Sequence, residues 1–141
     1  MKTSFKILFP FVIYVISSFT AYAQTGRFYT TDGGLSSSLI NHFFQDSKGF
    51  MWTATEYGLN SFDGLRFANY WHVSGDSTSI KNNYVRTLFE DSRQNLLIGC
   101  IDGLMRYDRE TNTFSEIPMI RAGKQVFPHV TQMQELHNGE I

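Results

Sequence analysis

The chain reads as an all-β protein made of β-propeller blades of four antiparallel strands. Two blades and the start of a third are present, so the ring is incomplete. Three observations predict this. A 45-residue internal repeat runs through the chain. Each copy splits into four short runs of strand-forming residues separated by turn residues. Aromatic side chains make up 16% of the 141 residues, a bias toward strands over helices. Four short strands in about 45 residues is the size of one propeller blade. A plain antiparallel meander in a sandwich also has short strands at regular spacing. The constant step and the matched turn chemistry favour blades over that alternative.

The first 23 residues read as an address rather than as structure. Lys2 and Lys6 precede a nearly unbroken apolar run, Ile7 to Phe19, and Ala21-Tyr22-Ala23 fits a small-x-small cleavage site before Gln24. That order of parts is a secretory signal peptide. The run is short for a membrane span, which needs about 20 apolar residues, and Pro10 interrupts it. Cleavage would leave residues 24–141 exported to the periplasm or beyond.

Phe28-Tyr29-Thr30-Thr31 comes before Asp32-Gly33-Gly34, which reads as a turn too short to cradle a phosphate. The tetrapeptide sits where Phe67–Tyr70 and Phe114–Ile117 sit before the later copies. It is expected to be an outermost, fourth strand with no blade of its own. In a closed ring such a strand completes the last blade.

Blade one is expected over about 38–71 and blade two over about 83–117. Leu39–Asp63 aligns on Tyr84–Asp108 without a gap. Identities fall at Phe44/Phe89, Asp46/Asp91, Ser47/Ser92, Gly58/Gly103, Leu59/Leu104 and Asp63/Asp108. They occupy turn and apolar strand positions, where a structural repeat needs them. In blade two, strands are expected at Val85–Glu90, Leu96–Cys100, Leu104–Tyr107 and Thr113–Ile117. Asp46-Ser47-Lys48-Gly49 is a turn closed by glycine, and Asn95 is expected to take the left-handed role in blade two. Tyr57-Gly58 and Asp102-Gly103 are expected to make tight hairpins. A third copy starts over about 128–141, with Val130 on Val85, Met133 on Leu88, Glu135 on Glu90 and Gly139 on Gly49. It breaks off before its expected tryptophan, so the sequence reads as a fragment of a longer protein.

The pattern Ile40-x-x-Phe43-x-x-Asp46-Ser47-Lys48-Gly49-Phe50-Met51-Trp52-x-Ala54-Thr55-x-x-Gly58-Leu59-x-x-Phe62-Asp63 resembles the two-component regulator propeller repeat. The second copy departs from it, with Leu97 for the tryptophan and Cys100 for the threonine. The resemblance implies a periplasmic sensor region of a Bacteroidetes-type hybrid two-component histidine kinase. It further implies an oligosaccharide ligand, further propeller blades and kinase regions elsewhere in the parent, and a homodimer in that parent. Two other classes stay open. One is a secreted propeller hydrolase or lyase acting on polysaccharide. The other is a non-enzymatic adhesion or scaffold propeller.

Little in the chain carries chemistry of its own. The formal net charge of −1 excludes a basic nucleic-acid footprint. One cysteine, Cys100, excludes an internal disulfide and a cysteine zinc site, and it reads as a small buried apolar residue. No catalytic residue, metal ligand set or cofactor motif stands out. The recurring Asp46, Asp63, Asp91 and Asp108 lie at turns, where aspartate caps its own backbone. Trp52 is expected between blades. The candidate ligand-binding residues are Glu56 and Tyr57 at a hairpin tip, with Trp71 and His72 in the link between blades. Loops carry function more often than strands, and aromatic faces stack on sugar rings.

Two blades and a piece leave strand edges and an apolar face unpaired. Residues 24–141 expressed alone are therefore expected to be unstable or to aggregate. A sharp, concentration-independent thermal transition from a monomer would contradict this.

Overall fold

A computed structural model describes residues 26–141; the expected signal peptide lies outside the described residues. Two four-stranded antiparallel sheets follow one another. The first runs β1 (Ile40–Gln45), β2 (Met51–Thr55), β3 (Gly58–Phe62), β4 (Phe67–Tyr70), and the second β5 (Val85–Glu90), β6 (Leu96–Cys100), β7 (Gly103–Asp108), β8 (Thr113–Ile117). Both are simple meanders, with strand order equal to chain order. The register repeats as well: β1 and β5 each slip once against their partners, between Ile40 and His42 and between Val85 and Thr87. The step is again 45 residues.

The core lies between the blades. Trp52, Ala54 and Leu59 of blade one meet Leu88, Leu96, Ile98, Met105 and Phe114 of blade two, with Phe44, Tyr70 and Tyr107 at the margin. The Trp52 ring lies 5.8 Å from Tyr70 and 4.9 Å from Tyr107, so it packs between blades as its sequence position implies. Cys100 is free and fully buried in this layer. On the far face of blade two, Leu97, Leu104 and Val130 form a smaller cluster. Leu97 stands where blade one has Trp52 and still fills a core position, 3% exposed.

Four aspartates cap four turns. One carboxylate oxygen of Asp46 accepts the N–H groups of Lys48 and Phe50; Asp91 does the same for Arg93 and Asn95. Asp63 accepts from Leu65 and Arg66, and Asp108 from Glu110 and Thr111. Among the described residues, no group of three or more histidine, cysteine or acidic side chains is placed to hold a metal ion.

The third copy forms no strand over 127–141, yet its backbone follows the earlier ones. The N–H of Leu136 donates to Glu140 O, as that of Asp46 donates to Phe50 O and that of Asp91 to Asn95 O. Val130 enters against Gly99, where an added Cβ would sit 2.8 Å from a Val130 methyl. A β-ladder needs a neighbour, and no further strand lies beside this segment among the described residues.

Three expectations need correction, and the chain holds one element beyond those expected. The left-handed residue of the β5–β6 turn is Gln94, at φ 65°, not Asn95. Asn95 instead hydrogen-bonds Asp91 through both its N–H and its side-chain amide. The two-residue hairpin loops are Glu56-Tyr57 and Ile101-Asp102, since Thr55 pairs with Gly58 and Cys100 with Gly103. The glycines close these turns from the first position of the next strand. Phe28–Thr31 is not a paired strand: Phe28–Thr30 is irregular and Thr31–Gly33 is one 3-10 turn. Finally, an additional hairpin, β9 (Met119–Arg121) with β10 (Lys124–Val126), occupies the link after blade two. It turns through Ala122 and Gly123, both at positive φ.

Two measurements test this account. Asp46→Ala removes the acceptor for a buried tryptophan and for an arginine from the next blade. It should lower stability by about 3 kcal/mol, the cost of breaking a buried pair from one side, read as a shift in the urea midpoint. Acid should destabilise the fold as well. Burial alone would raise the Asp46 pKa, but hydrogen bonds from Trp52, Arg109 and the Phe50 N–H outweigh it and hold the carboxyl below its ordinary value. Backbone N–H donors lower Asp63 and Asp108 in the same direction. A depressed folded pKa contributes stability that is present above the unfolded value and is lost as pH falls through the folded one. The unfolding midpoint should therefore drop below about pH 4.

Candidate functional site

Each strand runs the length of its blade, so the loops sort to two ends. The β1–β2 and β3–β4 turns share the lower end with their counterparts in blade two. The β2–β3 hairpin and the 71–84 link share the upper end. All four candidate residues of the sequence analysis lie at this upper end.

The upper rim is held by Asn83. Its backbone carbonyl accepts the Gly58 N–H at 2.7 Å, and its side-chain oxygen accepts the His72 N–H at 2.7 Å. One residue thus ties the hairpin tip to the link. Gly58 is fixed by the same closeness. It lies at φ 124°, and a Cβ there would sit 2.8 Å from Tyr70 O and 3.0 Å from the Trp71 indole. Trp71 therefore lies over the hairpin tip.

The four candidates have different freedom. Tyr57 is 62% exposed and Trp71 49% exposed. His72 Nδ1 lies 3.0 Å from Ile80 O, inside its own link. Glu56 accepts the Tyr84 hydroxyl at 2.9 Å, and this bond raises the Tyr84 pKa. Arg86 lies over the Tyr84 ring, 5.7 Å from its centroid. The rim offers two open aromatic faces, a carboxylate with a tyrosine hydroxyl on it, and a guanidinium nearby. It can stack on an apolar ring face and exchange hydrogen bonds with hydroxyl groups. Tyr84, Asn83 and Arg86 were not singled out from the sequence. The one available signal was their place at the entry to β5, one step from the hairpin tip.

The lower end has a different character. Glu90 accepts both the N–H and the hydroxyl of Ser47, at 2.6 and 3.0 Å. Glu135 accepts the same two groups of Ser92, at 2.8 and 2.7 Å. Arg109 reaches from the β7–β8 turn to Asp46 at 2.7 Å and to Glu90 at 2.8 Å. These groups bond to one another and hold blade to blade, with the buried Nε of Arg109 left unpaired.

Residues 34–57 match the family described as two component regulator propeller. The matched stretch runs from the turn before β1 to the β2–β3 hairpin. A curated relative, histidine kinase P4 of Formosa agariphila, is 35% identical over 77 residues, covering 52% of this chain and 6% of the relative. Among solved structures, the extracellular domain assigned to the hybrid two component system BT3049 of B. thetaiotaomicron superposes with a TM-score of 0.69 at 30% identity. That match covers 80% of this chain and 16% of the other. The extracellular domain assigned to hybrid system BT4673 of the same organism gives 0.53 at 31% identity, over 64% of this chain and 13% of the other. The propeller repeats described here thus span a small part of the length of these relatives.

Gly58→Ala tests the rim's construction. The added methyl must push Trp71 away and strain a left-handed position, at a cost of about 1–3 kcal/mol. The expected result is a red-shifted, more readily quenched tryptophan emission with the blade fold retained by circular dichroism. Unchanged emission would mean that Trp71 does not rest on the hairpin.

Proposed function

We propose that this chain is part of the exported, ligand-sensing propeller of a hybrid two-component histidine kinase. Its upper rim would contact an oligosaccharide. The observation that carries the ligand part is the gathering of Tyr57 and Trp71, both open, around the Glu56–Tyr84 pair on one end of the blades. Sugar rings present an apolar face edged by hydroxyls, and this rim has aromatic planes edged by a carboxylate and a phenol. The likeness to extracellular domains of two-component sensors supports export, as does the signal-like order of residues 1–23. In this reading the ligand bridges several blades and shifts a pre-existing balance between arrangements of the sensor, without any bond being made or broken in it. Homodimerisation of the parent would carry that shift across the membrane.

The test is a thermal-shift and calorimetric screen of oligosaccharides against the complete ectodomain. A hit should raise Tm with ligand concentration. Trp71→Ala should weaken that binding at least tenfold, roughly 1.4 kcal/mol, with the ligand-free Tm unchanged. If every oligosaccharide fails to bind, or if binding is indifferent to both Trp71→Ala and Tyr57→Ala, this reading of the rim is wrong.

A further inference from the structure

Among the described residues, Arg86 and Arg109 are the two arginines that are half-buried rather than exposed. Their surroundings differ. Arg109 donates to Asp46 and Glu90, 2.7 and 2.8 Å away. The ion pairs among the described residues are Lys81–Glu116, Arg109–Asp46 and Arg109–Glu90, so the Arg86 guanidinium has no anion there. It lies over the Tyr84 ring instead. A guanidinium drawn partly out of water is costly unless an anion takes the place of that water.

The backbone sets Arg86 apart from the rest of its strand. Val85 pairs with Cys100 and Thr87 with Gly99, so Arg86 is the extra residue of a β-bulge. Blade one repeats the bulge 45 residues earlier, with Asn41 as its extra residue. A bulge re-aims a side chain away from the strand's alternation, and bulges concentrate beside functional sites. The Asn41 amide donates to Val85 O at 2.7 Å, so both bulges lie at the contact between β1 and β5. Tyr84 joins this place to the upper rim. Its ring face carries Arg86, and its hydroxyl donates to Glu56 at 2.9 Å. The carboxylate is thus occupied by a phenol, and the guanidinium fork is held in place but left without a partner.

We infer that the oligosaccharide of this rim carries a uronic acid and that Arg86 receives its carboxylate. A planar carboxylate matches the guanidinium fork with two parallel hydrogen bonds. The rest of the upper end limits how much charge the ligand can carry. Lys81 is already engaged by Glu116. Glu56 and Asp102 stand on the two hairpin tips, and Glu116 pairs with Met105 close to them. A polysulfated chain would meet these carboxylates. One carboxylate among neutral hydroxyls meets Arg86 alone, with Tyr57 and Trp71 left for the ring faces.

This inference rests on the proposed oligosaccharide site and names its substrate class. Its test is calorimetric titration of the complete ectodomain with oligosaccharides that carry one uronic acid among neutral sugars, each beside its methyl ester. Neutral oligosaccharides and a heparin fragment are the other arms. The expected result is a uronate oligosaccharide that binds, with its ester roughly tenfold weaker, the size of one charge-assisted contact. Arg86→Gln should weaken the acid by the same factor and leave the ester unchanged, so that the variant no longer tells the two apart. Arg86→Lys should restore only part of the preference, because it returns the charge without the fork. Trp71→Ala should weaken acid and ester alike, which separates stacking from charge. Equal affinity for acid and ester, a preference that survives Arg86→Gln, or tighter binding of heparin would overturn the assignment. So would Trp71-dependent binding of neutral oligosaccharides alone, a result that leaves the rim reading standing. Failure of every probe would overturn both. An Arg86→Gln ectodomain that melts well below the parent yet binds the acid as the parent does would give the guanidinium a partner elsewhere in the protein, and that too would overturn the assignment.

Discussion

The carboxylate of Asp46 is the point on which the two blades depend. Its side chain is fully buried, and a charge in that position is tolerated only when every lone pair is engaged. One oxygen accepts two backbone N–H groups of its own turn. The other accepts the Trp52 indole and the Arg109 guanidinium, each at 2.7 Å. The same group therefore shapes the β1–β2 turn, orients the largest core side chain and grips the next blade. Arg109 passes the connection to Glu90, and Glu90 returns it to Ser47 beside Asp46. The circuit closes on itself across the blade boundary. Turn, core and interface are thus one polar network, and loss of Arg109 leaves the buried Asp46 carboxylate without its cation.

The contact after blade two shows which parts of that circuit define the geometry. Leu97 replaces the tryptophan there, so Asp91 turns its second oxygen to the Asn95 amide instead. The serine–glutamate clamp survives unchanged, from Ser92 to Glu135. Val130 still enters against the small residue of the preceding blade. The third copy takes up this placement without forming a ladder of its own. The carboxylate on a serine turn thus recurs at both contacts, and at the second Val130 fills the notch over Gly99. The tryptophan adds packing area and a capped turn, and leucine can stand in for it.

Much of this was legible in the residues. The step of 45, the eight blade strands, the capping aspartates and the buried place of Trp52 follow from turn chemistry and alternation, which are local. What escaped was of two kinds. Some of it depends on competition within one turn. Asn95 is the better left-handed residue by propensity, yet Gln94 takes that conformation because Asn95 is held by Asp91. The rest depends on partners distant in sequence. Nothing around Phe28 signals that its strand has no ladder to join, and Ala122-Gly123 is a weak sign of a hairpin. The four rim residues were chosen for exposure and type. Their convergence came from Asn83, a linker residue with no motif to mark it.

The two ends of the blades carry different demands, and this explains why the rim is the place for variable chemistry. At the lower end, short turns are bound by carboxylates to their own backbone and to the neighbouring blade. A change there is paid for in the blade contact itself. At the upper end, the first link runs from Tyr70 to Val85 and the second carries a hairpin, Met119–Val126. They differ in length and structure although they join equivalent strands. The upper links are anchored at a few atoms, the Asn83 oxygens in the first case, and otherwise leave side chains free. A repeat protein that must keep its blades in register while changing what it recognises has to separate these tasks. In this chain the separation is spatial: the clamps sit at one end, and the open aromatics, Tyr57 of the β2–β3 hairpin and Trp71 of the first link, at the other.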